Sequence, residues 1–321
     1  MICIKNIEVF HSKNKIPITE LIENENLTEL EKDYFEGCGV KGIYESKELS
    51  SLDLAVEAAY KTQQNFSENI DYVIYIKSRI PEYFISSEAT RLQQSLNLDN
   101  DTKIITLSDY GCADSSIAIS LATDLLANEK INNILILYGS KKYLNSRFRY
   151  PVTVMTDMGV SCIVGKSDSE KYPAIIDIEI QTNGKYHDLF KIDYKGKPIE
   201  EYEEKCKSLR EYNFELALES RNAFTKINNK ILKRNGLTYD DVPYFIMQNI
   251  SLNAFYFYEE FFNIKFAQEC YKNLESGHAG AADIILNLKT LQEQKTENKD
   301  NWLIMMNNSP VACWATILIK L

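Results

Sequence analysis

Three short segments carry residue types that could do chemistry together, and the first is SDYGCADSSIAISLATDLL at 108–126. It places Cys112 in a turn between an apolar run and a helical pattern. The positive end of a helix dipole favours thiolate over thiol, and a thiolate can accept an acyl group as a thioester. Asp114 or Ser115 can cap the helix, although an Asp114 carboxylate facing the sulfur would oppose the thiolate. Cys112 is therefore a candidate nucleophile, and a structural cysteine in a turn is the alternative.

The second segment is NLESGHAGAADIILNL at 273–288, which places His278 in a turn rich in glycine and alanine before another apolar helix. A neutral imidazole can take a thiol proton and later serve an incoming nucleophile. The alternative is a hydrogen-bonded core histidine. The other two histidines, His11 and His187, lie in polar, loop-like stretches.

The third segment is YFIMQNISLNAF at 244–255, in which an apolar strand ends at Gln248 and Asn249. These amides either close the strand end and cap the next helix, or they donate hydrogen bonds to a thioester carbonyl. The residues alone leave both interpretations open.

The chain as a whole limits the classes of function. It has 321 residues, 45% of them hydrophobic, and a net charge of −10. An acidic surface argues against a nucleic-acid partner. The lack of a long apolar run or a signal-like N-terminus predicts no membrane partner and a cytoplasmic location. Seven irregularly spaced cysteines without a CxxC pair predict neither a disulfide framework nor a metal site.

Strands and helical patterns alternate along the chain, which predicts an α/β protein. The continuous apolar runs are typical of strands buried on both faces. The order of elements is similar in the two halves, with a joint near KSDSEKYP, so we expect halves at 1–168 and 169–321. Predicted strands lie at 72–76, 103–107, 133–139, 160–165, 174–180, 244–250, 302–306 and 314–321, and predicted helices at 53–66, 87–97, 115–129 and 213–236.

The three chemical segments, in this order, resemble β-ketoacyl-acyl carrier protein synthase III and the wider thiolase superfamily over nearly the whole chain. The resemblance implies a thiolase-like duplicated five-layer α/β/α/β/α sandwich. It also implies a homodimer, with a heterodimer as the alternative, and a donor that is acyl-CoA or an acyl carrier protein, with no bound cofactor. Four further segments support it: EKDYFEGCGVKGIYES (31–46), SSEATRLQQSLNL (86–98), MTDMGVSCIVG (155–165) and NWLIMMNNSPVACWATILIKL (301–321).

The chain departs from that family at its reactive positions. The family has histidine in an HQAN-like segment and asparagine in a GNTSAAS-like segment, whereas here Gln248 and His278 stand there. The set Cys112, His278 and Gln248 or Asn249 is closer to the thiolase arrangement. The family's glycine-rich loop, which supplies an oxyanion donor, falls at 309–311. There Pro310 has no N–H, and Val311 follows it.

The resemblance also implies binding roles for other positions. Phe84 is expected to line the acyl tunnel, with a core or interface phenylalanine as the alternative, and Tyr34 to stack against the adenine of coenzyme A. Arg147 with Arg149, or the pair at 233–234, is a candidate basic patch for a carrier protein.

These observations favour an acyltransferase that loads an acyl group onto Cys112 and passes it to an acceptor, with His278 as the base. The function fits specialised secondary-metabolite or fatty-acyl biosynthesis. One alternative is a decarboxylative Claisen condensing enzyme with a swapped histidine and amide. The other is a catalytically degenerate partner subunit, which Pro310 favours and the Cys112 turn opposes.

Overall fold

The computed structural model describes residues 1–77, 81–83, 85–142, 146–294 and 301–321 of the chain. Fifteen strands lie in these ranges: β1 (Ile2–Phe10), β2 (Lys15–Pro17), β3 (Gly42–Tyr44), β4 (Tyr72–Ile76), β5 (Lys103–Leu107), β6 (Asn133–Ser140), β7 (Phe148–Arg149), β8 (Thr153–Val154), β9 (Met158–Lys166), β10 (Ala174–Thr182), β11 (Phe190–Ile192), β12 (Glu204–Cys206), β13 (Tyr244–Met247), β14 (Trp302–Ser309) and β15 (Cys313–Lys320).

The same ranges hold nine α-helices: α1 (Ile18–Glu23), α2 (Glu29–Gly37), α3 (Ser51–Asn65), α4 (Glu88–Ser95), α5 (Asp114–Leu126), α6 (Ala217–Arg234), α7 (Leu252–Phe262), α8 (Gln268–Leu274) and α9 (Asp283–Gln294). A π-helical turn at Glu211–Leu216 leads into α6. None of the described helices is long and apolar enough to cross a membrane.

Strand pairing repeats between the two halves. The order is β5-β4-β6-β9-β1 in the first half and β13-β14-β15-β10 in the second, and one pair, Cys3 with Ala174, joins the two sets. In each half, parallel neighbours are followed by antiparallel ones. A lone parallel bridge between Phe245 and Phe266 lies beside β13, where β5 lies in the first half. The strand order therefore confirms the duplication expected from the sequence.

Helices fill the layers on and between these two sets of strands. α3 packs on β1, β6 and β9, and α6 packs on β10 and β15. α5 and α9 contact strands of both halves, so they form the middle layer. The order is thus helix, sheet, helix, sheet, helix, as a thiolase-like sandwich requires. The first half ends with β9 at Lys166 and the second begins with β10 at Ala174, and the division of the chain at 168/169 stays a prediction.

Close approach of α3 to the sheet depends on two glycines. A Cβ built on Gly139 in β6 would lie 1.7 Å from the carbonyl oxygen of Ser51. A Cβ on Gly159 in β9 would lie 1.8 Å from the carbonyl oxygen of Leu54. No real side chain tolerates such contacts with backbone, so glycine at both positions lets the helix rest directly on the strands.

Candidate active site

A matching turn precedes each of the two middle-layer helices. Gly111–Ala113 forms a 3₁₀ turn before α5, and Gly280–Ala282 forms one before α9. Their sequences, GCAD and GAAD, are nearly identical, and the first glycine of each has a φ of +61°, which glycine adopts without strain. The two turns pack against each other. The duplicated fold thus brings Cys112 to the segment that carries His278.

Cys112 and His278 are in direct contact. The Sγ atom lies 3.0 Å from Nε2 of His278, although the two residues are 166 positions apart. Cys112 is 7% exposed and His278 is 1% exposed. Two hydrogen bonds fix the backbone of His278. Its N–H donates to the carbonyl of Val154 at the end of β8, and its carbonyl accepts from the N–H of Thr156. The structure therefore brings together the two residues on which the sequence analysis depends most.

A buried carboxylate completes the arrangement. Asp283, at the start of α9, lies 2.5 Å through Oδ2 from Nδ1 of His278. It also accepts backbone N–H bonds from Asn249 at 2.7 Å and Ala279 at 2.8 Å. Because the carboxylate holds Nδ1–H, the other ring nitrogen faces the sulfur. Cys112, His278 and Asp283 form a cysteine–histidine–aspartate chain.

Electrostatics favour the ionised form of this pair. Burial raises the pKa of the Cys112 thiol, whereas the charge of His278 and its hydrogen bond lower it. Arg149 lowers this pKa further, so the net shift is downward. Burial lowers the pKa of His278, but the neighbouring Cys112 thiolate and Asp283 carboxylate raise it by more. Burial raises the pKa of each of the other six cysteines. Cys112 is therefore the thiol suited to act as a nucleophile.

The Cys112 turn is held from the neighbouring half by β14. Nδ2 of Asn307 donates to the carbonyl of Cys112 at 2.9 Å and to the hydroxyls of Ser115 and Ser116 at 3.1 Å each. Asn307 is 1% exposed, so these bonds satisfy its buried Nδ2, whereas its Oδ1 has no partner among the described residues. The side chain fixes the start of α5, and with it the sulfur.

Two adjoining cavities reach the site. A small one of about 50 Å³, the Cys112 chamber, is lined by Cys112 and His278. A larger one of about 760 Å³ lies outside it, and Arg149 and Met155 line both. Arg149 makes a two-point ion pair with Glu204, at 2.5 and 2.6 Å. The outer cavity is rich in carboxylates: Glu25, Glu31, Glu200, Glu201, Glu203 and Glu204.

The predicted amides lie close to the site but have other partners. Nε2 of Gln248 donates to the carbonyl of Asn308 at 2.8 Å and also contacts the side-chain oxygen of Asn308. Oδ1 of Asn249 accepts from Asn287 at 2.8 Å, while its buried Nδ2 has no partner in the described part of the chain. A contact of either amide with a thioester carbonyl stays a prediction.

The remaining predicted site residues are Pro310, Val311, Tyr34 and Phe84. Pro310 lines the Cys112 chamber, and Val311 lies beside it in the β14–β15 turn. The Tyr34 hydroxyl donates to Val152 at 3.0 Å, and its ring packs edge-on against Tyr150, so adenine stacking stays a prediction. Phe84 lies outside the described residues.

The first candidate docking patch is not a surface patch. Arg147 is 5% exposed and is bound to Asp157 at 2.7 Å, and Arg149 is held by Glu204 beside the chamber. Both guanidiniums are paired with carboxylates, Asp157 and Glu204, which lie near them through long-range packing that no local pattern contains. At the second candidate patch, Arg234 pairs with Asp177 and Glu179.

Sequence reasoning missed Asp283 and Asn307. The repeat of GCAD and GAAD was the available signal for Asp283, because it indicates two equivalent helix starts. Asp114 and Asp283 each accept from a backbone N–H four residues earlier, those of Tyr110 and Ala279. Asn307 lies within a continuous strand and has no comparable local signal.

Comparison with known proteins gives a fold. Neither a protein-family model nor a curated protein sequence matches the chain. Among solved structures, synthase III from Aquifex aeolicus VF5 has a TM-score of 0.79 at 18% identity, with 100% of both chains covered. ChlB3, named as an acyltransferase, has a TM-score of 0.82 at 14% identity, covering 100% of this chain and 97% of that one. Xanthomonas campestris OleA has a TM-score of 0.80 at 13% identity, covering 100% and 98%. The predicted thiolase-like fold is confirmed.

The contact between Cys112 and His278 predicts a distinctive alkylation profile. The rate for a thiol is constant above its pKa and falls as the pH drops through it. Replacing His278 with Gln removes the two largest influences that oppose burial, leaves that of Arg149, and raises the pKa of Cys112, so the iodoacetamide rate at pH 7 is expected to fall by at least about tenfold. Peptide mass spectrometry of Cys112 between pH 5 and 10 measures this.

The exposed residue His187, replaced with Gln, is the matched control and should leave the profile unchanged. If the His278→Gln variant keeps the wild-type profile, the imidazole does not ionise the thiol.

Proposed function

We propose that the protein is an acyltransferase of the synthase III type, which loads an acyl group onto Cys112 and transfers it to an acceptor. The contact of Cys112 with His278, oriented by Asp283, carries this proposal. The names of the structural neighbours, which include synthases and an acyltransferase, support the class of reaction. The fold and the buried pair together favour thioester chemistry over an inert scaffold.

The geometry accounts for both halves of the reaction. The Cys112 thiolate attacks the thioester carbonyl carbon, and the donor sulfur leaves with the proton of His278 Nε2. The neutral imidazole then takes a proton from the acceptor, which attacks the acyl group and releases the thiolate. Asp283 stays ionised and holds the ring in one orientation throughout. The donor, acyl-CoA or an acyl carrier protein, is a substrate, and the proposal uses no resident metal or cofactor.

Two observations favour plain acyl transfer over decarboxylative condensation. Condensation requires donors on the oxygen of a developing enolate. Pro310, on the chamber wall, has no N–H to donate, and the N–H groups of Gln248 are directed to Asn308. The degenerate-subunit alternative is disfavoured because Cys112, His278 and Asp283 are mutually bonded. Release of carbon dioxide from malonyl-CoA, coupled to product formation, would instead support condensation.

A loading assay tests the proposal. On incubation with acetyl-, butyryl- or octanoyl-CoA, intact-protein mass spectrometry is expected to show an acyl adduct that Cys112→Ser abolishes. Asp283→Asn removes the charge that stabilises the imidazolium, so loading should slow by about 10² to 10⁴. The exposed residue Asp33, replaced with Asn, is the control. No adduct from any acyl-CoA or acyl carrier protein would refute the acyltransferase.

Pro310 predicts a gain of function. Pro310→Gly supplies an N–H on the chamber wall, and one oxyanion donor is typically worth a factor of about 10² to 10³. We expect the loading rate to rise at least about tenfold, although the protein itself should unfold at a lower temperature. The exposed residue Pro198, replaced with Gly, controls for the loss of a proline. A Pro310→Gly rate at or below that of the wild type would count against a missing donor.

We also propose a homodimer in the cytoplasm, a compartment that keeps the seven unpaired cysteines reduced. Among the described strands, β5 is the last of its sheet, and a sheet edge is a ready surface for a second copy. Light scattering should give twice the chain mass of 37.0 kDa. Thr106→Glu, on the exposed face of β5, should give monomers through like-charge repulsion. A wild-type monomer, or a second chain required for assembly, would contradict the homodimer.

A further inference from the structure

The Cys112 chamber is small and its wall is polar. Its volume of about 50 Å³ is several times the roughly 10–15 Å³ that one water molecule needs, which suits a short group rather than a long one. Among the described side chains on the wall, besides the reactive pair, those that carry charge or a hydroxyl are Lys77, Asp114, Tyr138 and Arg149, whereas Met155 and Pro310 are apolar. A long alkyl chain therefore fits the described wall poorly.

Strand order places Lys77 at the same edge of the sheet as the Cys112 turn. Lys77 directly follows β4, whose parallel neighbours are β5 and β6. The chain leaving β5 makes the Cys112 turn, and β6 carries Tyr138 near its end. The carboxyl ends of neighbouring parallel strands meet at one edge of a sheet, where ligands bind in α/β proteins. Lys77 therefore faces the chamber as a consequence of strand order.

The two cations on the wall differ in how firmly they are paired. Arg149 makes two hydrogen bonds of 2.5 and 2.6 Å with Glu204. Nζ of Lys77 lies 3.5 Å from Oε2 of Glu88, and that buried oxygen accepts no hydrogen bond from any residue in the described ranges. Glu88 is 8% exposed, and the ammonium of Lys77 lies near it without a close hydrogen bond. Of the two described cations on the wall, Lys77 is thus the less firmly paired and the more available to a ligand.

We propose that the acyl group carried by Cys112 is short and ends in a carboxylate, and that Lys77 binds this carboxylate. The inference rests on the proposed function and names its substrate class: half-thioesters of short dicarboxylic acids. A carboxylate gives Lys77 charge-assisted hydrogen bonds. An alkyl chain in the same place would displace water from the ammonium without replacing the lost hydrogen bonds. Lys77 is therefore a specificity-determining residue.

The loading step balances for such a substrate. The Cys112 sulfur forms a bond to the thioester carbonyl carbon, and the bond from that carbon to the sulfur of coenzyme A breaks. Coenzyme A leaves as a thiol after taking the proton from His278. The distal carboxylate keeps its charge and its atoms throughout, because it serves only as a binding group.

Succinyl-CoA and butyryl-CoA carry four-carbon acyl groups and differ at the far end, so they form a matched pair. We expect Cys112 of the wild-type protein to load succinyl at least about tenfold faster than butyryl, because only the succinyl group offers Lys77 a charge-assisted hydrogen bond. Lys77→Met should bring the ratio of the two rates close to one by lowering the succinyl rate. The exposed residue Lys47, replaced with Met, should leave the ratio unchanged. Intact-protein mass spectrometry over time gives both rates, and thermal unfolding shows whether each variant is folded.

Two results would overturn the inference. One is butyryl- or octanoyl-CoA loading as fast as succinyl-CoA. The other is a folded Lys77→Met variant that keeps the wild-type ratio. Either result leaves the acyltransferase intact, because a butyryl adduct on Cys112 still forms. If no thioester loads Cys112 at all, the proposed function itself fails.

Discussion

The buried pair of Cys112 and His278 is the constraint on which the rest of the site depends. Removing a charged pair from water costs several kcal/mol for each ion, so the ionised form persists only where geometry and further hydrogen bonds compensate. Asp283, which accepts N–H bonds from Asn249 and Ala279, provides part of that compensation. The positive charge of Arg149 provides a further part. The two reactive residues come from different halves of the chain. The packing of the halves therefore sets the chemistry of the sulfur.

Much of the fold was predictable because burial on both faces leaves a plain signal. The predicted strand at 72–76 matches β4 residue for residue, and four of its five residues are buried. The one at 103–107 matches β5, a strand at the end of the sheet whose apolar residues are half-buried. β1 was missed because Lys5, Asn6 and Glu8 interrupt its apolar pattern. An irregularity in register between Ile4 and Asn6 also breaks the alternation of faces. Its place in the sheet depends on pairing with β9, which no local pattern contains.

Site residues were predictable only where the local sequence marks a turn before a helix. Cys112 and His278 each precede a helix, so both were visible in the sequence. Gln248 was expected either to close the strand end or to donate to a thioester carbonyl; β13 and β14 are parallel neighbours whose ends meet, and its amide contacts Asn308. Lys77 and Asn307 owe their places to strand order. Their environments come from long-range packing that single-sequence reasoning does not reach.

The GCAD and GAAD turns are two copies of one structural motif with different roles in the site. Each copy uses its aspartate to close its own turn; Asp283 also bonds the imidazole of His278, and the first copy carries the sulfur. Cys112 is matched by Ala281 in the other copy. Within a duplicated protein, each half can serve as the reference for the other. Positions where the two copies differ, rather than agree, indicate which residues of a repeated turn have a separate role.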